Sequence, residues 1–199
     1  RLWVGTANGL NLLEPSSSRF VRYDRDPADG ASLRDSYVMS LFQDRAGLLW
    51  VGTRFGGVSR WNPRSWSFGH RPTSTTRNAQ PMAFAADAGG RLWVGTLGAG
   101  LLRFDPTSGE VLPAEQVFDR ADLLPDKRVM SLLRDRDGGL WIGTMGSGLV
   151  HRAARGEIRR YRHREDDPRS LGADGVMALL GARDGRIWVG TYGGGISII

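Results

Sequence analysis

Along this chain, short runs of alternating apolar and polar residues are separated by clusters of Gly, Asp, Asn, Pro and Ser. The run "YVMSLFQD" (37–44) alternates and carries β-branched and aromatic residues, so it predicts a strand, here strand A. "DRAG", with its counterparts "DAGG", "DRDG" and "ARDG", predicts a tight turn in which Asp bonds the turn backbone and Gly supplies positive φ. "LLWVGT" is strand B, and "RFGG", "LGAG", "MGSG" and "YGGG" form a second turn. "GVSRWN", "GLLRFD", "GLVHRA" and "GISII" read as strand C. "NPRSW", "DPTSG" and "AARG" turn the chain again, into an outer, charged strand D such as "RFVRYD" or "EIRRYRH".

The same unit recurs. Its tryptophans, Trp3, Trp50, Trp93, Trp141 and Trp188, are spaced by 47, 43, 48 and 47 residues, the period of a four-stranded propeller blade. Before each of the last four stand a glycine at three residues (Gly47, Gly90, Gly138, Gly185) and a methionine at eleven (Met39, Met82, Met130, Met177). Six residues before come Asp44, Asp87 and Asp135, but Ala182 in the last unit, where Asp184 carries the acid. A glycine follows at seven (Gly57, Gly100, Gly148, Gly195), and Gly9 plays that part after Trp3. The pattern assigns each part a duty. Trp fills the wedge between neighbouring blades, the next Gly lets a neighbouring sheet approach, and Thr bonds at the strand end. One blade cannot bury both of its faces, so the unit must repeat. The expected fold is all-β: a β-propeller of four-stranded antiparallel blades, about four to five of them within residues 1–199, forming one partial propeller. Three strands, three complete units and three more strands make eighteen. An open arc of a larger ring is expected, with a small closed or partner-completed ring as the alternative.

Composition changes this picture little. Of 199 residues 28 are Gly and 40 % are apolar, which suits a turn-rich globular chain. The absence of cysteine excludes disulfides, thiolate metal sites and a Cys nucleophile. No apolar run reaches the roughly 18 residues of a membrane span, and no secretion leader is visible. The charge is +6, but the arginines are spread along the chain. The one dense stretch, Arg152 to Glu165, is interspersed with Glu and aromatic residues and reads as a charged edge strand, not a nucleic-acid face.

Candidate chemistry is sparse. His70, His151 and His163 lack a second His at metal spacing and read as surface or strand residues. "RDRDGG" (134–139) lacks the later ligands of a calcium loop and fills the same turn as its counterparts. "REDDP" (164–168) reads as a solvated loop, "SSS" (16–18) as a turn, and the Gly-rich turns lack the Lys and helix of a phosphate cradle. No catalytic residue, metal or cofactor is assigned, and a cofactor-binding propeller stays open as an alternative. Ligand binding is expected on the B–C and D–A loops, which in a four-stranded blade emerge at the mouth of the central funnel. These supply Arg54, Phe55, Leu97, Met145 and Tyr192 after strand B. Asp35, Tyr37, Asn78, Gln80, Lys127, Arg128 and Asp174 stand before strand A. These positions vary where the framework agrees, and their aromatic, basic and amide groups suit a carbohydrate or small anionic ligand.

"SLRDSYVMSLFQDRAGLLWVGTRFGGVSRWNP" resembles the two-component regulator propeller repeat, and "DPRSLGADGVMALLGARDGRIWVGTYGGGISII" resembles it as closely. The unit from Trp50 to Trp93 departs most, being short and without "SL". The resemblance implies seven-bladed propellers in the periplasmic part of bacterial inner-membrane sensors, joined to a histidine kinase or diguanylate cyclase output. It implies that this segment is a non-catalytic sensory module, a homodimer in the full-length protein, with no nucleic acid and no membrane span of its own. A structural or protein-interaction scaffold without a small ligand is the alternative.

Overall fold

The computed structural model of the chain describes residues 1–62, 67–71, 79–118 and 122–199. Among them eighteen strands pair antiparallel, in chain order, into five sheets. Blade 1 holds β1 (Leu2–Thr6), β2 (Gly9–Glu14) and β3 (Arg19–Tyr23). Blade 2 holds β4 (Val38–Gln43), β5 (Leu49–Thr53), β6 (Gly57–Asn62) and β7 (Ser67–Arg71). Blade 3 holds β8 (Gln80–Ala86), β9 (Leu92–Leu97), β10 (Leu101–Phe104) and β11 (Val111–Pro113). Blade 4 holds β12 (Val129–Arg134), β13 (Leu140–Thr144), β14 (Leu149–Arg152) and β15 (Ile158–Tyr161), and blade 5 holds β16 (Val176–Gly181), β17 (Ile187–Thr191) and β18 (Gly195–Ile198). The chain forms two compact units, Arg1–Pro81 and Met82–Ile199.

The turns follow their residues. In the A–B turn Gly47, Gly90, Gly138 and Gly185 take φ between 78° and 93°, as the reversal requires. Asp44 Oδ1 accepts the Leu48 N–H at 3.0 Å, and Asp135 Oδ1 accepts that of Gly139 at 2.6 Å. The second carboxylate oxygen accepts the indole N–H of the motif Trp, at 2.9 Å from Trp50 and 3.1 Å from Trp141. The Asp and Trp columns are therefore one clasp, a coupling that spacing alone did not reveal. In the B–C turn each motif Thr donates across to a glycine carbonyl: Thr6 to Gly9, Thr53 to Gly57, Thr96 to Gly100, Thr144 to Gly148 and Thr191 to Gly195, all within 3.1 Å.

The remaining columns join one blade to the next. In the first unit Trp3 packs edge-on against Trp61 of blade 2 at 4.8 Å, over a core of Leu10, Leu33, Leu49, Val51 and Phe68. In the second, Trp141 joins Leu149 against Val176, Ile187 and Val189 of blade 5. A Cβ on Gly5 would lie 2.6 Å from Val38 Cγ1, and one on Gly95 or Gly143 at the same distance from Val129 or Val176. The glycine of Trp-Val-Gly-Thr is thus the seat of the valine that begins the next strand A. Ser40 Oγ donates to Pro81 O at 2.9 Å and Ser131 Oγ to Val176 O at 3.2 Å, tying each strand A to the start of the next. Register shifts between Val38/Ser40, Val129/Ser131 and Val176/Ala178 put Met39, Met130 and Met177 on β-bulges.

The "SL" lead-in is a self-bonded loop. Ser32 Oγ accepts the Asp26 N–H and donates to Asp26 O, and Ser170 Oγ does the same with Arg164. Each loop inserts a buried leucine, Leu33 or Leu171, into the core. Blade 3 departs from the all-strand expectation. Its outer strand stops at Pro113 and continues as the short helix α1 (Ala114–Phe118). Phe118 stacks on Trp93 at 4.8 Å, and the Arg152 guanidinium covers its ring at 3.9 Å.

Candidate functional site

The candidate site residues stand on the B–C turns and on the segments that lead into strand A. Backbone hydrogen bonds hold the two together in three blades. Arg54 N–H donates to Tyr37 O at 2.9 Å in blade 2, Met145 N–H to Arg128 O at 3.0 Å in blade 4, and Tyr192 N–H to Gly175 O at 2.7 Å in blade 5. A loop tied to a strand end in this way loses little further entropy when it binds something.

In the first unit the structure brings together Asp35, Tyr37, Arg54 and Phe55. Asp35 accepts the Tyr37 N–H through Oδ1 at 3.2 Å and the Phe55 N–H through Oδ2 at 2.7 Å. It is a loop brace, and its two oxygens are aimed at its own backbone. The Arg54 guanidinium lies 5.2 Å from the Tyr37 ring centre and 5.1 Å from that of Phe55. Phe55 is 77 % exposed. Gln80 begins β8, and Asn78 lies outside the described residues.

In the second unit Leu97 bridges to Arg128. Asp126, which the sequence reading did not single out, grips Arg128 through Nε and Nη2, each at 2.9 Å. Burial pushes the Asp126 carboxyl up, but the Arg128 bonds outweigh it and hold the group below its usual range. Asp126 is four residues before Met130, as Asp35 is before Met39, so a repeat-by-repeat alignment of the lead-ins would have found it. The Lys127 carbonyl accepts the N–H groups of Gly98 at 3.1 Å and Gly100 at 2.9 Å, while Nζ lies 3.6 Å from Glu115. Asp174 accepts from Arg162 Nη2 and from the His163 N–H, both at 2.8 Å. Burial raises its carboxyl, and these bonds more than offset that and lower it. Its charge is committed to its own loop. Tyr192 projects with 77 % of its surface exposed.

The histidines are engaged with strand residues or lead-in loops. His151 Nε2 lies 2.9 Å from Asp135 Oδ2, with its ring stacked on Trp141 at 4.0 Å. His70 bonds Ser59 and the Gly30 carbonyl, and His163 bonds the Leu171 carbonyl. Among the described residues no group of three acidic or histidine side chains is placed to hold a metal ion, and no helix is long and apolar enough to cross a membrane.

The family model of the two component regulator propeller matches residues 32–55, 123–146 and 170–193, each running from a lead-in to a B–C turn. No curated protein matches the chain. Among solved structures it is similar to the extracellular domain described as that of hybrid two component system BT4673 from B. thetaiotaomicron, at 23 % identity and TM-score 0.80, over 98 % of this chain and 25 % of that one. The corresponding domain of BT3049 from the same organism gives 21 % identity and TM-score 0.61, over 99 % and 31 %. Virginiamycin B lyase from Staphylococcus aureus gives 16 % and 0.70, over 99 % and 65 %. At these identities the likeness shows the fold, a β-propeller. The chain spans about a quarter of the length of the BT4673 extracellular domain.

Proposed function

With two component regulator propeller repeats in blades 2, 4 and 5 as the premise, we propose that the chain is a sensory, ligand-binding part of an extracytoplasmic propeller in a membrane-anchored signalling protein. It binds a saccharide or small anion on its blade loops and performs no chemistry on it. The signal passes through a homodimer whose arrangement the bound ligand favours. One observation carries the reading: aromatic and cationic side chains stand exposed at the tips of turns whose backbones are braced from beneath. Arg54 and Phe55 above Asp35, and Tyr192 above Gly175, are of this kind. Large exposed rings on rigid supports suit stacking on a ligand, and their exposure has no packing role to explain it. The non-catalytic reading is supported by the engagement of all three histidines in bonds that brace strands or lead-in loops.

The test is a thermal-shift screen of the full protein against neutral and acidic saccharides and small organic acids, repeated with Arg54, Lys127 and Tyr192 replaced together by Ala. A ligand that raises the unfolding temperature of the parent and not of the triple variant is the expected result. Equal shifts in both would defeat the loop assignment. The scaffold alternative has its own observation in the exposed Leu180, Ile196 and Ile198 of blade 5, a face that suits a further blade or a protein partner.

A further inference from the structure

Blade 2 differs from the other blades at its B–C turn. Where it carries Arg54, blades 3 to 5 carry Leu97, Met145 and Tyr192; where it carries Phe55, they carry Gly98, Gly146 and Gly193. Gly98 and Gly193 take positive φ there, at 116° and 81°. Phe55 and Gly146 do not, and Ser18 is the one non-glycine residue with positive φ among the described residues. Blades 2 and 4 share a second path, in which the lead-in carboxylate takes the turn N–H, Asp35 that of Phe55 at 2.7 Å and Asp126 that of Gly146. That path accepts a large side chain at the tip, and of the two blades it is blade 2 that places one there.

Charge separates blade 2 as well. Arg128 in blade 4 is neutralised by a two-pronged bond to Asp126. Arg54 has no carboxylate partner among the described residues, and its guanidinium rests between the Tyr37 and Phe55 rings. Arg34 adds a second exposed cation in the same lead-in: a Cβ on Gly56, beside Phe55, would lie 2.8 Å from Arg34 Cβ. Asp35 is the acid of this group, and both of its oxygens accept backbone N–H groups. The result is a local excess of positive charge, held in place by rings that keep part of their own surface free. A guanidinium in this setting is oriented in advance for an oxyanion, and an exposed ring offers a face to the C–H side of a pyranose.

We propose that the mouth of blade 2 binds an acidic saccharide, with Arg54 as ion partner of its carboxylate or sulfate and Phe55 as the face on which its ring stacks. This rests on the reading of the blade loops as a ligand site and names the chemistry of one part of it. Asp35 acts as a positioning residue through the backbone of Tyr37 and Phe55.

The experiment is calorimetric titration of the full chain with three probes: methyl β-D-glucuronide, D-glucose 6-sulfate and neutral methyl β-D-glucoside. Arg54→Gln is expected to weaken the two anionic sugars by about tenfold or more, the usual worth of a hydrogen bond to a charged group, and to leave the glucoside unchanged. Phe55→Gly, which restores the residue of the other blades, weakens all three. The carboxylate and sulfate arms decide between the two oxyanions. Unchanged glucuronide and sulfate binding in Arg54→Gln, or failure of the parent to bind either anionic sugar, overturns the proposal. Should Tyr192→Ala weaken the glucoside while Arg54→Gln changes nothing, this assignment fails and the sensory reading stands. Unfolding curves of each variant confirm that the fold is retained.

Discussion

Blades 4 and 5 carry nearly the same strand, "LWIGT" in β13 and "IWVGT" in β17, and the two tryptophans live differently. Trp141 is 6 % exposed. Its indole N–H reaches Asp135, His151 stacks on it at 4.0 Å, and Val176, Ile187 and Val189 of blade 5 close over its sheet. Trp188 is half-buried, lacks an acid six residues before it, and has the Arg186 guanidinium 5.8 Å from its ring. Its cross-strand neighbours Leu180 and Ile198 are exposed, and Ile196, one pair along on the same face, is 68 % exposed. The comparison teaches that the motif belongs to an interface. The strand supplies the residues, and the neighbouring blade supplies their burial.

The largest expected contrast is between the indoles themselves. Trp141→Ala should destabilise the chain by roughly 3–5 kcal/mol, the usual cost of removing a buried aromatic side chain. Trp188→Ala should cost about 1 kcal/mol, because much of that surface already meets water. Urea unfolding of both variants gives the two numbers. Equal losses would mean that the half-buried indole is held by something other than its own sheet.

The glycines give a smaller contrast with a cleaner cause. At Gly143 a Cβ would overlap Ser131 Oγ and approach Val176 Cγ1 to 2.6 Å and Val176 O to 2.9 Å. Gly143→Ala must push blade 5 away and should cost about 1–3 kcal/mol. At Gly190 the nearest atom to a Cβ is Ala178 Cβ, at an ordinary 3.4 Å. Gly190→Ala should be within about 0.5 kcal/mol of neutral, with reduced unfolded-chain entropy opposing any crowding. A large loss at Gly190 would show that its face is covered in solution.

These pairs also show what the sequence made legible. The columns of Trp, Gly, Thr and Asp repeat because the blade interface repeats, so their spacing disclosed the sheets and the turns, but not that Asp and Trp share one clasp. The seat of Val176 on Gly143 follows from the same logic. Features that occur once had no column to betray them. Helix α1 is five residues long, too short to show a helical period, and Phe118 meets Trp93 and Arg152 only in three dimensions. His151 stands where β6 has Arg60 and β10 has Arg103, opposite the motif Trp, and its bond to Asp135 depends on strand pairing that a linear reading does not display. The loop candidates were found by their variability, but which carboxylates brace the backbone and which cations stay unpaired is set by turn geometry. Asp35 and Arg54 show that division most plainly.

The smallest expected effect tests whether the clasp itself can be moved. The blade 5 turn already has the backbone of the blade 4 turn. Ala182 N–H bonds Arg186 O at 2.8 Å as Asp135 N–H bonds Gly139 O at 3.0 Å, and Gly185 has φ 93° against 84° at Gly138. A carboxylate introduced by Ala182→Asp would therefore reach the Arg186 N–H and the Trp188 indole N–H without rearrangement. Two things limit the gain. Asp184 already accepts the Arg186 N–H at 3.1 Å and its Nε at 2.8 Å, and a half-buried indole loses little by bonding water instead. Ala182→Asp should therefore stabilise the chain by only about 0.5 kcal/mol, the low end for a hydrogen bond. Its counterpart, Asp135→Ala, should cost about 1–3 kcal/mol, because it strands the Gly139 N–H, the Trp141 indole and the His151 ring in a covered interface. The two variants, measured under the same conditions, weigh one clasp on a buried indole and on a half-buried one. Destabilisation by Ala182→Asp would mean that Asp184 and Arg186 already form the clasp of this turn, so that a carboxylate at 182 competes with it.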